Sequence, residues 1–231
     1  HEDCRRQRQM CIRDRGRDYA GFRAKLPSRN YFTDEIRRQL SGTFGEEEFF
    51  TGGMTVRSTF DPILQRKAAL ALQRGLERYD RKQGIWRGTG KKVPFAILND
   101  EAKWQKSLAD LKLPRDINLD GQWIPAVILG IENSEVRIGI EGIEETAEGN
   151  WIPPTDTTWI KKVFASGKLV DVVGQFSDFL NIGDVVLVRR LNDQDGNFLH
   201  WSLRQVSEVQ GALMAMDVNN GRVIAMQGGF S

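Results

Sequence analysis

The sequence predicts an α+β fold in which a small barrel of five short strands lies between a strand–helix unit and a returning apolar hairpin. Three observations predict it. Five short strand-like runs fall between Gly121 and Arg204. A strand-like run, an Asp-Pro cap and a long amphipathic run succeed one another from Thr51 to Tyr79. Last, Val209 to Ser231 holds two apolar runs around Asp217-Val218-Asn219-Asn220-Gly221.

Length and composition are compatible with that architecture. A chain of 231 residues, 28% charged and 40% hydrophobic, has the composition of a soluble globular protein of one or two domains with a sizeable core. Its net charge of +2 is unevenly spread: residues 16–120 carry twenty Lys/Arg against fourteen acids, and residues 121–205 carry seven against twelve. No apolar run approaches the roughly 18–20 residues of a membrane span. The polar N-terminus has no signal-peptide pattern, so any export or anchoring segment is expected to lie outside this sequence.

Residues 1–15 (HEDCRRQRQMCIRDR) hold both cysteines, Cys4 and Cys11, and no apolar periodicity. A basic arm for nucleic acid, or a metal site from His1, Cys4 and Cys11, is conceivable, but the six-residue gap between the cysteines lacks the usual short ligand spacing. The stretch reads instead as a translated sequencing-adapter artefact or disordered tail, and Glu2 and Asp3 beside His1 receive no catalytic role. Without it the chain has no cysteine, which fits an oxidising compartment.

In residues 16–50, Phe32, Ile36 and Leu40 recur at i, i+4 and i+8, predicting a short helix that Thr33 or Asn30 could cap. Phe44, Phe49 and Phe50 bracket the acid run Glu46 to Glu48, which reads as a solvated loop or helix face rather than a cation site. Met54 to Phe60 alternates as a strand would. Asp61-Pro62 then supplies an N-cap and a proline at the first helical position, where its missing N–H costs nothing. The helix that follows carries Leu64, Ala68, Ala71, Leu72, Gly75, Leu76 and Tyr79 as its apolar stripe and Arg66, Lys67, Arg74 and Arg78 on its polar face, continuing into Arg81 and Lys82. Gly88-Thr89-Gly90-Lys91 hints at a phosphate loop but fails the motif, with Ile85 and Lys92 at positions that need Gly and Ser/Thr; Gly84 to Lys92 reads as a linker. A second helix is expected near Asp100 to Leu111, with Trp104, Leu108 and Leu111 at its core.

The barrel strands are read at Trp123 to Ile131, with Pro125 suggesting an edge or a strand start; at Val136 to Ile140; at Gly149 to Ile152; at Asp184 to Leu191; and at Leu199 to Leu203. Asn192 to Asn197 is the turn joining the last two. Five such strands in so short a stretch suggest a Greek-key barrel of the OB type. Barrels of this type often bind single-stranded nucleic acid through stacked aromatics and a cationic groove. Here Trp123, Trp151, Trp159 and Trp201 supply aromatics, but the acidic balance argues against nucleic acid and for core tryptophans. His200 has no identifiable nucleophile or carboxylate partner. In the terminal hairpin, Asn-Gly is a strong turn signal, and runs apolar at consecutive positions (Ala212 to Met216, Val223 to Met226) predict strands covered on both faces.

Three stretches carry a family resemblance: TGGMTVRSTFDPILQ (Thr51 to Gln65), YDRKQGIWRG (Tyr79 to Gly88) and GALMAMDVNNGRVIAMQGGFS (Gly211 to Ser231). They resemble class A penicillin-binding proteins, in particular the penicillin-binding protein 1A group of Gram-negative bacteria, over roughly residues 30–231. The resemblance implies an internal fragment lacking both catalytic centres of a bifunctional peptidoglycan synthase, a glycosyltransferase plus D,D-transpeptidase. An OB-like module is inserted between the first strand–helix unit and the central hairpin of an incomplete transpeptidase α/β sheet. The implied domains are residues 16–50 as the end of the glycosyltransferase–transpeptidase linker, 51–90 as the first part of the transpeptidase domain, 91–205 as the OB-like inserted domain and 206–231 as the resumption of the transpeptidase domain, with Ser231 a truncation point.

The same resemblance defines what is absent. The transpeptidase needs S-x-x-K, S-x-N and K-T-G. No serine here has Lys three residues on, K-T-G does not occur, and Ser28-Arg29-Asn30 fits S-x-N on the wrong side of the hairpin. No catalytic, cofactor or metal residue is therefore expected, and Ser231 is not read as the nucleophile. Implied for the parent are peptidoglycan precursors and strands as substrates, periplasmic or outer-membrane activator proteins as partners of the OB-like module, no nucleic acid, and a periplasmic location with an inner-membrane anchor. The alternative is a free-standing OB-type binding module for oligosaccharide, peptide or single-stranded nucleic acid.

Overall fold

A computed structural model describes residues 31–53, 56–115, 117–132, 135–145, 149–165 and 167–230, with only the backbone at Phe50 and Ala165. The readings placed on His1, Cys4, Cys11, Ser28, Asn30, Met54 and Ser231 lie outside the described residues. The chain forms two compact units. One takes residues up to Ala68 together with Met214–Gln227, and the other takes Ala69–Leu213 with the residues from Gly228.

In the first unit, α1 (Tyr31–Phe44) buries Phe32 and half-buries Ile36 and Leu40, the spacing expected of it. Thr33 lies inside the helix, so it is not the cap. The acid run enters a short helix, α2 (Glu46–Thr51). Val56 to Phe60, expected as a strand, is assigned to none. It is held instead by the Thr59 hydroxyl, which donates to the Val223 carbonyl at 2.5 Å, and by the Asp61 N–H, which donates to the Ile224 carbonyl at 3.0 Å. Asp61 caps α3 (Pro62–Gln83) as predicted, accepting the N–H groups of Ile63 and Leu64 at 2.9 and 3.0 Å. The hairpin β9 (Ala212–Met216) and β10 (Val223–Gly228) forms a two-stranded sheet.

The second unit contains the barrel. Its strands are β2 (Trp123–Glu132), β3 (Glu135–Ile140), β4 (Asn150–Ile152), β7 (Val185–Asn192) and β8 (Phe198–Arg204), paired in the order β4-β3-β2-β7-β8. All four pairings are antiparallel, and the barrel is nearly closed: between its two end strands the Trp201 indole N–H donates to Asn150 Oδ1 at 2.9 Å. A register shift between Ile128 and Gly130 bends β2, as closure of a small barrel requires. All five strand readings hold to within a residue or two at their ends. Pro125 is an exception in context, because β2 is central rather than an edge. Its carbonyl accepts the Glu141 N–H beyond the last β2–β3 pair, Ala126 with Ile140, so the N–H that proline lacks would face a strand that has ended.

Three apolar clusters fix this unit. Ala126, Ile128, Val136, Ile138, Ile140, Ile152, Val186, Val188 and Leu203 fill the barrel. Helix α4 (Glu101–Asp110), capped by Asp100, lays Trp104 and Leu108 over Val127 and Val185 on the outside. Leu76 of α3 gathers Ile117, Leu119, Trp123, Leu187 and Phe230. The continuous apolar runs of β2 and β7 follow from this: up to the register shift in β2, and in β7 from Val185 to Val188, even-numbered residues face in and odd-numbered Trp123, Val127, Val185 and Leu187 lie under a helix. A second sheet joins β1 (Ile85–Trp86), β5 (Lys162–Ala165) and β6 (Lys168–Asp171) in the order β1-β5-β6.

Candidate functional site: the OB-like barrel and its charged flank

The buried face of α3 is offset from the predicted stripe. Leu64 and Tyr79 are exposed, whereas Gln65, Ala68, Leu76 and Asp80 are buried. Polar residues on that face meet polar residues on the barrel. Arg204, 5% exposed, donates to Glu77 Oε1 at 2.5 Å. Arg81 donates to the Leu203 carbonyl at 2.7 Å and lies 5.1 Å from the centre of the Trp159 ring. Asp80 accepts from Arg87 and, at 2.7 Å, from Gln205, which also donates to the Ile85 carbonyl at 2.9 Å. Gln205 Oε1 in turn accepts the Arg87 backbone N–H at 3.0 Å. Asp156 takes the Ser202 hydroxyl and the Leu203 N–H, both at 2.5 Å. Arg189 donates to the Leu119 carbonyl at 3.0 Å, and Arg74 pairs with Asp120.

Two guanidinium groups in this space, those of Arg81 and Arg189, are held below the ordinary arginine value. Burial first, then the charge of Arg204, lowers Arg81 to about 10, still cationic at neutral pH, and the same two causes lower Arg189. The Nε of Arg87, Arg189 and Arg204 has no acceptor among the described residues. Such buried charge is costly relative to apolar packing, and its bonds here tie the end of β8 to α3. It does not form an open ligand site.

The Gly84 to Lys92 stretch is not a linker. Trp86, 3% exposed, enters the barrel core, and Ile85 and Trp86 pair in parallel with Lys162 and Val163 of β5. Thr89 of the phosphate-loop look-alike donates its hydroxyl to the Val185 carbonyl, and Lys92 pairs with Asp184 at 2.9 Å. A cleft of about 210 Å³ separates this segment from Asn181 to Val186. Beside it, Gly183 has a φ of 88°, and a Cβ there would lie 2.7 Å from the Val93 carbonyl oxygen, which excludes any side chain.

The remaining sequence candidates disperse. His200 is half-buried on β8 opposite Leu191, and its ring makes no hydrogen bond among the described residues. Trp123 and Trp201 are buried, and Trp151 and Trp159 are half-buried. Among the described residues no three His, Cys, Asp or Glu side chains converge to hold a metal. Sequence reasoning missed Glu77, Asp80, Arg87, Asp156, Arg189 and Gln205. Only the interruption of the apolar period of α3 by Gln73, Glu77 and Asp80 hinted at them.

Comparison with known proteins bears on this barrel directly. The family model "Penicillin-binding protein OB-like domain" matches residues 86–209. Penicillin-binding protein 1A of Rickettsia bellii (strain RML369-C) is 30% identical over 202 residues, covering 87% of this chain and 22% of that protein. Penicillin-binding protein 1A of Vibrio cholerae is 29% identical over 203 residues, covering 87% of this chain and 23% of the other. The crystal structure of penicillin-binding protein 1A from Haemophilus influenzae aligns with a TM-score of 0.56 at 22% identity, over 87% of this chain and 26% of that one, a likeness of fold. The chain spans less than a quarter of the length of these curated relatives.

Proposed function

Because this chain belongs to the penicillin-binding protein OB-like domain family, we propose that it is a non-catalytic stretch of a bifunctional peptidoglycan synthase. In this reading the parent is a glycosyltransferase and serine-type D,D-transpeptidase acting on peptidoglycan precursors and strands in the periplasm from an inner-membrane anchor. The barrel is its regulatory or docking module, contacted by periplasmic or outer-membrane activator proteins, and the hairpin unit is part of the transpeptidase scaffold. Among the described residues no helix is long and apolar enough to cross a membrane.

One observation carries the non-catalytic part. The ionisable groups crowded on the flank of the barrel are committed to each other or to backbone, as Asp156, Asp80 and Glu77 illustrate. A general base or nucleophile needs a free lone pair aimed at open space, whereas these carboxylates are engaged by donors packed against them. The acidic balance of residues 121–205, seven Lys/Arg against twelve acids, favours a protein-docking module over a single-strand binder, which needs a cationic groove for phosphates. Fluorescent penicillin tests the assignment: this chain is expected to remain unlabelled, and a chain extended beyond Ser231 to be labelled. Covalent labelling of this chain alone would overturn it. A parent from which residues 84–209 are removed is expected to keep penicillin labelling and lose stimulation by periplasmic extract; retained stimulation would sink the docking role.

A further inference from the structure

The β5–β6 hairpin differs in its charge from the rest of residues 121–205. Of the seven basic residues between positions 121 and 205, the four arginines are all engaged: Arg137 with Glu145, Arg189 with the Leu119 carbonyl, Arg190 with Asn192 and the Phe198 ring, and Arg204 with Glu77. The other three are Lys161, Lys162 and Lys168, all on this hairpin, all exposed, and none in an ion pair among the described residues. Residues 121–205, acidic overall, thus keep their uncommitted positive charge in one place.

The hairpin also displays apolar surface. Its register pairs Lys162 with Asp171, Val163 with Val170 and Phe164 with Leu169. Side chains alternate across a strand, so Val163 turns to the core, where it packs, while Lys162, Phe164, Leu169 and Asp171 share the outward face. Phe164 is 59% exposed, Leu169 is 48% exposed and Val173, just beyond, is 90% exposed.

Backbone polarity adds the third element. The Val172 N–H donates to the Lys161 carbonyl at 2.9 Å, so Val172, and by alternation Val170, aims its backbone groups toward β5. Leu169 and Asp171 therefore aim their N–H and C=O groups away from β5. Since β6 ends the order β1-β5-β6, those groups form a free edge among the described residues. A free edge beside exposed apolar and cationic side chains is the arrangement that strand addition uses, with main-chain bonds for affinity and alternate side chains for selection.

We propose that the β6 edge and the outward face of this hairpin are a strand-addition site for an extended acidic segment of a partner protein. This rests on the docking reading above and specifies its surface and its mode. The lysines select a segment rich in Asp or Glu, and Phe164 and Leu169 select apolar residues alternating with them. A lipid surface is the poorer occupant, because entering it would leave the edge N–H and C=O groups without partners.

The experiment uses the 231-residue chain and a fluorescein-labelled peptide in which Glu alternates with Val, read by anisotropy at low salt and by amide exchange. Binding is expected, with slowed exchange at Leu169 and Asp171. Leu169→Pro removes an outward N–H that bonds nothing within the sheet and is expected to weaken binding about tenfold or more, with tryptophan fluorescence unchanged. The combined Lys161→Glu, Lys162→Glu and Lys168→Glu variant, which leaves the edge intact, is expected to weaken it about as much and flatten its salt dependence. No binding of this peptide, equal binding of a Lys-Val peptide, or binding indifferent to both variants overturns the proposal. So does a preference for phosphatidylglycerol–phosphatidylethanolamine vesicles, or self-association that Leu169→Pro abolishes. None of these outcomes touches the docking reading, which stands or falls on the stimulation lost with residues 84–209.

Discussion

Strands β2 and β7 are covered twice. Ala126, Ile128, Val186 and Val188 face the barrel interior, while Val127 and Val185 lie under α4 and Trp123 and Leu187 join Leu76 of α3. Strand β9 of the hairpin unit is equally apolar, yet Met214 and Met216 are 58% and 51% exposed. Beside it a cavity of about 510 Å³ opens among Phe32, Ile36, Leu40, Val56, Val223 and Met226. The expectation that the hairpin strands are covered on both faces is therefore not met for β9 among the described residues. The contrast teaches that a second apolar face is only as useful as the helix laid over it, and the barrel unit supplies its own.

If that cover is what stabilises the barrel unit, removing it has the largest effect. Trp104→Ala deletes a fully buried ring and leaves a cavity between α4 and the sheet, at a cost of about 3–5 kcal/mol. All six tryptophans fall in the barrel unit, so intrinsic fluorescence in a urea titration follows that unit alone. The midpoint should fall with little change in slope. A loss below about 1 kcal/mol would mean that α4 merely rests on the sheet. Glu77→Ala tests the other cover. It strands Arg204 in the interior and should cost about 3 kcal/mol, whereas Glu77→Leu combined with Arg204→Met should recover most of it. A double-mutant cycle showing no coupling between the two would remove the charged flank from the account.

A smaller effect is expected where helix and strand approach most closely. A Cβ on Gly139 of β3 would lie 2.7 Å from the Trp104 ring, inside any real contact distance. The Gly139→Ala chain should therefore be destabilised by about 1–3 kcal/mol as the ring is pushed off its rotamer. Because the backbone here is ordinary, the cost should largely vanish in a Trp104→Ala background, and its persistence there would assign the glycine another role.

The strands of the barrel were legible because each announces itself locally: alternation in Val136 to Ile140, continuous apolarity in Trp123 to Ile131 and Asp184 to Leu191, and Asp61 and Asp100 as caps. The flank was not. Glu77, Asp80, Arg87 and Gln205 are polar residues at long sequence separation, and nothing in their own windows says that a helix and strand 127 positions apart will bury them together. The apolar stripe of α3 was misplaced for the same reason, since the partner of that face is itself charged. Ile85-Trp86 failed differently: a two-residue strand just after a glycine carries too little pattern to declare a parallel pairing with β5. The β5–β6 hairpin is short and exposed, and periodicity sees only strands with a buried face.

The smallest effect expected lies in the turns, and it compares the two units on equal terms. Asp193 closes the β7–β8 turn by accepting the Asn197 and Asp195 N–H groups at 2.8 and 2.9 Å, and Asp217 closes the β9–β10 turn by accepting the Asn219 N–H at 2.9 Å. These bonds favour the carboxylate: the Asn197 N–H lowers Asp193 and the Asn219 N–H lowers Asp217 below the ordinary 3.8. A group lowered in the folded state binds fewer protons there than in the unfolded chain. Each contribution is thus fully present above 3.8 and is lost as pH falls through the lower folded value. Carboxyl carbon shifts followed by NMR should give midpoints below 3.8 for both residues, and Asp217→Asn, which keeps an acceptor oxygen, should hold the turn while abolishing its pH dependence. Asp217 titrating at or above the ordinary value while Asp193 stays low would show that the hairpin unit holds its turn less firmly than the barrel does, extending the contrast in cover from the strands to their connections.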